Sequence, residues 1–318
     1  MNRYADQTVA VLGATGFIGR FVARALVGQG AQVHLLVRSA ERANDLCHVW
    51  RLRVTVHELD LCDQSALARI LADLRPAITF NLAGYGIDPT EQDEAEAHRV
   101  NTDLVECLAR VVAEAADPSW SGQQLVHVGS AFEYGSAASD LAEDSVPAPT
   151  SWYGRSKLDG TRRLVEVARD AQLRAVTARL FTVYGPGEHV GRLLPSLVAA
   201  AASGEVLPLS AGLQRRDFTY VADVAEGLLR LAVSHAEPGA IVNLATGRLT
   251  TVREFAETAA RILRIPHERL LFGALPVRPD EMSHQPVAIE LLRSLTGWKP
   301  PTAVPEGIRR TVSFAPFG

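Results

Sequence analysis

Thr8-Val-Ala-Val-Leu12, running directly into Gly13-Ala-Thr15-Gly16-Phe17-Ile18-Gly19, is the stretch whose reading decides the fold. A short β-prone apolar run stops at a glycine turn. Apolar spacing then resumes with a helical period at Phe17, Ile18, Phe21, Val22, Ala25 and Leu26. In a strand, glycine turn and helix of this kind the first glycine permits the tight turn. The second lets backbone approach a pyrophosphate, and the third lets the helix lie close on the strand. Unpaired N–H groups at the helix N-terminus then face the phosphates. An isolated glycine turn is only a flexible loop. Its position between strand and helix makes this one a dinucleotide site, lined by Gly13, Thr15, Gly16, Phe17, Ile18 and Gly19.

Working outward, a second strand at Gln32 to Val37 ends at Arg38, with Ser39 and Arg42 beyond it. An acidic residue at this strand end accepts from the ribose 2′-hydroxyl of NAD, whereas an Arg accommodates the extra phosphate of NADP. Here a planar guanidinium suited to phosphate stands where the carboxylate would be. Both arginines also read as plain surface residues, but the missing acid favours NADP over NAD as cofactor. Further strands are expected at about Arg53 to Val56, Ala77 to Leu82, Gln124 to Gly129 and Ala175 to Leu180. Helices are expected between them at Ser65 to Leu74, Ala95 to Ala115 and Tyr153 to Ala168. This alternation argues for a parallel sheet with helices on both faces. Asp60 and Leu61 follow the third strand, where the carboxylate can accept from an adenine amino group. Asn81-Leu82-Ala83-Gly84 closes the fourth, at the edge where ligands bind in open α/β sheets. Asn101, a polar amide on an otherwise apolar helix, reads either as a surface residue or as an anchor for the cofactor-site backbone.

The chemistry is carried by Ser151-Trp-Tyr153-Gly-Arg-Ser-Lys157. Four residues apart on a helix, Tyr153 and Lys157 stack on one face. A phenol with a pKa of about 10 is a poor acid or base near neutrality. A cation held beside it favours the phenolate and brings proton transfer into range. Most such pairs only decorate a solvated helix. Ser130 changes the reading, because it ends the fifth strand at the same sheet edge as the glycine turn and can hydrogen-bond a substrate oxygen beside Tyr153.

The chain has 318 residues, 47% apolar and 21% charged, enough for a large core and about two domains. A formal charge of −4 with no block of like charge excludes a nucleic-acid or polybasic membrane surface. Cys47, Cys62 and Cys107 form no C-x-x-C pair and no metal spacing, and their odd number argues against a disulfide framework. The N-terminal residues enter the first strand without an apolar signal core, and no apolar run reaches membrane-spanning length. A cytoplasmic protein without bound metal is expected.

Taken in order, the Gly13 to Gly19 turn, Asp60, Asn81-Leu-Ala, Asn101, Ser130 with Tyr134-Gly135, Tyr153-x-x-x-Lys157, Tyr184-Gly-Pro-Gly187 and Arg216-Asp-Phe-x-Tyr-Val-x-Asp223 cover nearly the whole chain. Together they resemble the extended short-chain dehydrogenase/reductase family, of the NAD-dependent epimerase/dehydratase type that acts on nucleotide sugars. The resemblance implies an α/β fold: a Rossmann-type doubly wound parallel sheet with a smaller, mixed α/β C-terminal substrate-binding domain. Residues 1–183 would form the dinucleotide-binding domain, with 221–246 returning to it, and 184–220 with 247–318 the substrate-binding domain. It also implies Tyr153 as general acid/base, Lys157 as the residue that lowers its pKa and holds the nicotinamide ribose, and Ser130 as the residue orienting the reacting oxygen. Arg216 and Arg278 would meet a nucleotide diphosphate. Members are often homodimers through the helices near Ala95 to Ala115 and Tyr153 to Ala168.

Departures from the family narrow the reaction. Sugar-nucleotide 4,6-dehydratases follow the Ser or Thr with an Asp-Glu pair, and here Ala131 and Phe132 stand there. Thr182 replaces the Asn usual before Val-Tyr-Gly-Pro. Glu133 comes one residue too late for the dehydratase acid and, if strand-like, points to another face. Phe132, Glu133, Thr182 and His189 join Arg216 and Arg278 as expected substrate-facing residues, while Phe132 and Trp152 read equally as packing aromatics and His189 as a loop residue. Three functions remain open. One is NADPH-dependent reduction of a keto group on a nucleotide-linked deoxysugar. The second is a redox-neutral 4-epimerase with tightly bound NAD. The third, a non-catalytic dinucleotide sensor, is disfavoured by the intact Ser130, Tyr153 and Lys157.

Overall fold

The computed structural model describes residues 3–86, 90–136, 140–277 and 282–315. Seven parallel strands form its central sheet: β1 (Thr8–Leu12), β2 (Gln32–Val37), β3 (Thr55–Glu58), β4 (Ile78–Asn81), β5 (Leu125–Ser130), β6 (Ala175–Leu180) and, later in the chain, β10 (Ala240–Leu244). Their order is β10-β6-β5-β4-β1-β2-β3. This is the doubly wound arrangement, with the strand order reversing beside β1.

The inner strands are buried on both sides because helices cover both faces of the sheet, while the edge strand β3 stays partly exposed. Val9 and Val11 of β1 enter one core, whereas Ala10 and Leu12 enter the other. The first core is built with α1 (Gly19–Gly28), α2 (Ala40–Trp50) and α8 (Val221–Ala232). The second takes α3 (Gln64–Leu74), α5 (Leu104–Ala115) and the long α6 (Trp152–Asp170).

The expected single helix over Ala95 to Ala115 is divided. A short α4 (Glu94–His98) runs into a π-helical turn at Arg99–Asp103, and only then does α5 begin. The widened turn pushes the Asn101 carbonyl toward α6, where a Cβ on Gly160 would overlap it. Thr102 Oγ1 donates to the Ser156 carbonyl at 3.0 Å, so the two helices are locked at this level. Such π turns tend to sit at functional sites.

Segments outside this sheet build two small ones. β7 (Thr182–Tyr184), β9 (Arg215–Tyr220) and β11 (Leu249–Thr251) form a three-stranded sheet, and β8 (Leu207–Leu209) pairs with β12 (Leu270–Phe272). The remaining helices are α7 (Leu193–Ser203), α9 (Val252–Leu263), α10 (Glu290–Thr296) and α11 (Val304–Val312). Helix α8 begins at Val221, so Asp223 lies in its first turn. That frees the Asp223 carboxylate to accept from Thr302 N and Thr302 Oγ1, both at 2.8 Å, and so to tie the C-terminal segment to α8. Asn243 on β10 makes a similar tie. It donates to the carbonyls of Leu141 and Ala288 and accepts from Tyr134 Oη at 2.8 Å. Among the described residues no helix is long and apolar enough to cross a membrane.

Two glycines of the main helices test the close packing of α6. Gly160→Ala is expected to lower stability by about 2 kcal/mol, as overpacking does, read as a lower urea midpoint. Gly28→Ala, whose added methyl meets nothing within 4 Å, is expected to be neutral or slightly stabilising. Equal midpoints for the two variants would show that the Asn101 approach is no constraint.

Candidate active site

The glycine turn is built as a cradle. Gly13 takes a φ of +75°, and a Cβ there would lie 2.6 Å from the carbonyl of Leu82. At Gly19 a Cβ would collide with the Gly13 carbonyl oxygen. No side chain caps the N-terminus of α1 and no acidic residue lies in its first turn. A compact turn leading to uncapped N–H groups with no opposing carboxylate fits the pyrophosphate of a dinucleotide. Thr15 is half-buried and Gly16 exposed on this turn, while Phe17 and Ile18 pack against the first core.

The adenosine end lies where β2 and β3 finish. Arg38 is exposed directly after β2. Ser39 caps α2 by accepting from Arg42 N at 3.3 Å, and the Glu58 carboxylate accepts from Ala40 N at 2.7 Å. Asp60 accepts from Cys62 N at 3.0 Å and pairs with Arg99 at 3.2 Å. Those hydrogen bonds, with the Arg38 and Arg99 charges, hold its carboxyl below the usual range. Leu61 is buried in the second core. Leu82, Ala83 and Gly84 run along the sheet edge, and Ala83 N donates to Asn81 Oδ1 at 3.2 Å.

Of the two readings of Asn101, surface residue or anchor of the cofactor-site backbone, its hydrogen bonds match the anchor. It is fully buried, donates to Tyr85 O at 2.8 Å and Ser156 Oγ at 3.0 Å, and accepts from Tyr85 N at 3.0 Å. The amide is spent on backbone and on α6, so it positions the loop after β4.

At the end of β5, Ser130 is 7% exposed and opens a 3₁₀ turn over Ala131–Glu133, its hydroxyl accepting from Phe132 N at 3.2 Å. Ser151 caps α6 by accepting from Gly154 N at 3.0 Å, which places Tyr153 in the first turn and Lys157 one turn on. Phe132 stands edge-on to the Tyr153 ring at 5.6 Å and Trp152 at 6.4 Å, so the phenol has aromatic walls on two sides. Burial pushes the Tyr153 phenol well above its ordinary pKa, opposed by a hydrogen bond from Ser130 and by the Arg192 charge. Burial likewise lowers Lys157 to about 8, with the Glu133 charge opposing. Its ammonium donates to Val128 O at 2.6 Å. The expected lowering of the phenol by its lysine is therefore not the resting condition. Desolvation dominates, and the phenol rests protonated.

Glu133 is a second correction. The turn, rather than a strand, carries it inward to 0% exposure, where it pairs with Arg179 at 2.8 Å and accepts from Ser130 N at 2.8 Å and Thr161 Oγ1 at 3.2 Å. With its oxygens so occupied it does not face substrate. Thr182 is half-buried at the start of β7, and His189 is exposed in the loop beyond it. Arg216 is buried on β9 with Nη1 3.3 Å from His284 Nε2. Asp217 accepts from Thr246, Arg248 and Thr219. Arg278 lies outside the described residues.

Sequence reading passed over three groups at this site. Glu188, nearly buried, has its carboxyl raised to about 7 by desolvation and lies 3.6 Å from Arg192, the same arginine that acts on Tyr153. His284 is held by Asp217 N, which donates to Nδ1 at 3.0 Å. Glu58 meets α2 only through strand register. His284 depends on a contact 67 residues away along the chain, for which sequence spacing carries no signal, and Glu188 on burial of its loop.

Comparison with known proteins agrees with this geometry. The profile of the NAD dependent epimerase/dehydratase family matches residues 9–245. A dTDP-6-deoxy-L-talose 4-dehydrogenase (NAD(P)(+)) of Kitasatospora kifunensis is 31% identical over 96% of this chain and 94% of its own. A GDP-6-deoxy-D-mannose reductase of Pseudomonas aeruginosa is 28% identical, with 96% of each chain covered. Among solved structures, MoeE5 in complex with UDP-glucuronic acid and NAD superposes with a TM-score of 0.81 at 26% identity, covering 96% of this chain and 97% of its own. The nucleotide-sugar relatives, the seven-stranded doubly wound sheet and the Ser130, Tyr153 and Lys157 cluster agree, and the chain belongs to the NAD-dependent epimerase/dehydratase family of extended short-chain dehydrogenases/reductases.

Proposed function

We propose that this enzyme reduces the 4-keto group of a nucleotide-linked 6-deoxyhexose, with NADPH as hydride source. The observation that carries the reading is the set of Ser130, Tyr153 and Lys157 brought to one sheet edge with no second acid free beside it among the described residues, Glu133 being sealed against Arg179. A reductase needs its acid loaded before hydride arrives. Ser130 orients the keto oxygen, and Tyr153 gives its proton to the alkoxide that forms. Lys157 holds the nicotinamide ribose and keeps a positive charge beside the phenol. A nicotinamide cofactor, with its pyrophosphate held at the Gly13 turn, would supply the hydride. Arg38 supports the choice of NADPH. Arg216 holds the substrate diphosphate by the bidentate geometry a guanidinium offers. Residues 184–220 and 247–318 form the part that binds the sugar nucleotide.

Elimination of water is disfavoured by Ala131 and Phe132, which have no proton to exchange, and by Glu133, which is sealed against Arg179. The relatives named for 6-deoxyhexose 4-dehydrogenation and reduction support a redox step at that class of sugar. A second reading, a redox-neutral 4-epimerase that retains NAD, is favoured by the likeness to MoeE5 with its UDP-sugar and NAD.

Loss of NADPH absorbance with one member of a panel of nucleotide-linked 4-keto-6-deoxysugars is the expected result. Interconversion of 4-hydroxy epimers with no net NADPH loss, and NAD released on denaturation, would replace the reductase with the epimerase. Tyr153→Phe is expected to lower kcat by roughly 10²- to 10⁴-fold while leaving NADPH binding intact, and retained turnover would remove Tyr153 from the chemistry. A lysine loses its charge as pH rises through its pKa. The kcat/KM for reduction, which reports the free enzyme, is therefore expected to fall above about pH 8 as Lys157 deprotonates. A profile flat to pH 10 would show that the lysine charge is not needed.

A further inference from the structure

The corner between β2 and β3 holds an opposition that the Arg38 reading leaves out. Val37 and Glu58 are register partners at the ends of their strands, and the Glu58 carboxylate reaches the backbone of Ala40, two residues past Arg38. Arg38 is exposed, and its charge is felt by Asp60. The Glu58 carboxylate is held in place, with Oε2 accepting from Ala40 N at 2.7 Å at the first residue of α2. A dianionic 2′-phosphate drawn in by Arg38 would meet a fixed carboxylate, and would find the nearest helix amide already bonded. A 2′-hydroxyl meets neither obstacle, because a carboxylate accepts from it.

We propose that Glu58 sets the cofactor choice: it supplies from β3 the carboxylate absent at the end of β2, accepts from the ribose 2′-hydroxyl of NAD, and opposes the 2′-phosphate that Arg38 attracts. The wild-type site therefore favours NADPH by less than Arg38 alone would, because the Glu58 charge narrows its margin over NAD. The inference rests on dinucleotide binding at the Gly13 turn and is independent of the sugar reaction.

The test uses adenosine fragments on the full chain, with no sugar substrate. Isothermal titration of ADP and of 2′,5′-ADP gives a ratio of affinities for each preparation, and the ratio is unaffected by any inactive fraction. Glu58→Gln keeps an acceptor for Ala40 N but removes the charge. It is expected to shift the ratio toward 2′,5′-ADP by at least about tenfold, the scale of a like-charge contact near a protein surface. Glu58→Ala should shift it the same way, and adding Arg38→Ala to Glu58→Gln should abolish the gain. An unchanged ratio in both Glu58 variants overturns the proposal, as does a gain that survives loss of Arg38. Failure of wild type to bind either fragment overturns it together with the dinucleotide reading. Failure of the sugar-panel assay, with the ratios shifting as stated, removes only the reductase.

Discussion

The ion pair between Glu133 and Arg179, 2.8 Å apart with both side chains sealed from solvent, is the joint at which sheet, catalytic turn and long helix meet. Burying two charges is costly unless each is fully engaged, and removing one partner of such a pair typically costs about 3–5 kcal/mol. Glu133 meets that condition by also accepting from Ser130 N at the end of β5 and from Thr161 on α6. Arg179 reaches it from β6 and lies over the Tyr134 ring at 4.5 Å. Even the strand leading in is constrained, since a Cβ on Gly129 would sit 2.6 Å from Glu133 Oε1. Because these elements share one carboxylate, Ser130 and the first turns of α6 are held in a fixed relation. That relation is what a proton-transfer site requires, because small misplacements of reacting groups cost rate steeply.

Much of the fold is legible in the sequence because its signals are local. The glycine turn, the alternation of strand and helix periods and the Tyr153 to Lys157 spacing each depend on residues within a few positions of one another. Glu133 was misplaced because parity along a strand assigns it a face, whereas the chain turns into a 3₁₀ segment just after Ser130 and swings the side chain inward. Spacing alone leaves Asn101 open between a surface residue and a backbone anchor. The π turn that aims it at Tyr85 and Ser156 leaves no trace in hydrophobic spacing. Arg216 and His284 meet across 68 residues, and Glu58 reaches α2 only because β3 lies beside β2 in one register.

Desolvation links these contacts to the direction of the chemistry. Burial disfavours the charged form of every group, so it raises the phenol and lowers the lysine at once. The two shifts act on opposite partners of one pair, and each draws that pair toward a neutral phenol and a weakly held ammonium proton. Glu133 modulates both in the same sense, since its negative charge supports the Lys157 cation and opposes the Tyr153 anion. Only the Ser130 hydrogen bond and the Arg192 charge favour phenolate.

A Ser, Tyr and Lys set can in principle take a proton from an alcohol or give one to an alkoxide, and the groups alone do not choose. The choice lies with whatever fixes the protonation state before substrate arrives. Here the aromatic walls of Phe132 and Trp152 and the carboxylate of Glu133 fix it on the side of the acid. The Ser130 hydrogen bond opposes that shift most strongly, and Arg192 acts in the same direction through its charge. Its guanidinium is the cation that lowers the phenol, and it is tied to a carboxyl, Glu188, that itself titrates near 7. The surroundings of the phenol therefore extend past the Ser130, Tyr153 and Lys157 groups to the Glu188 and Arg192 pair in the loop after β7.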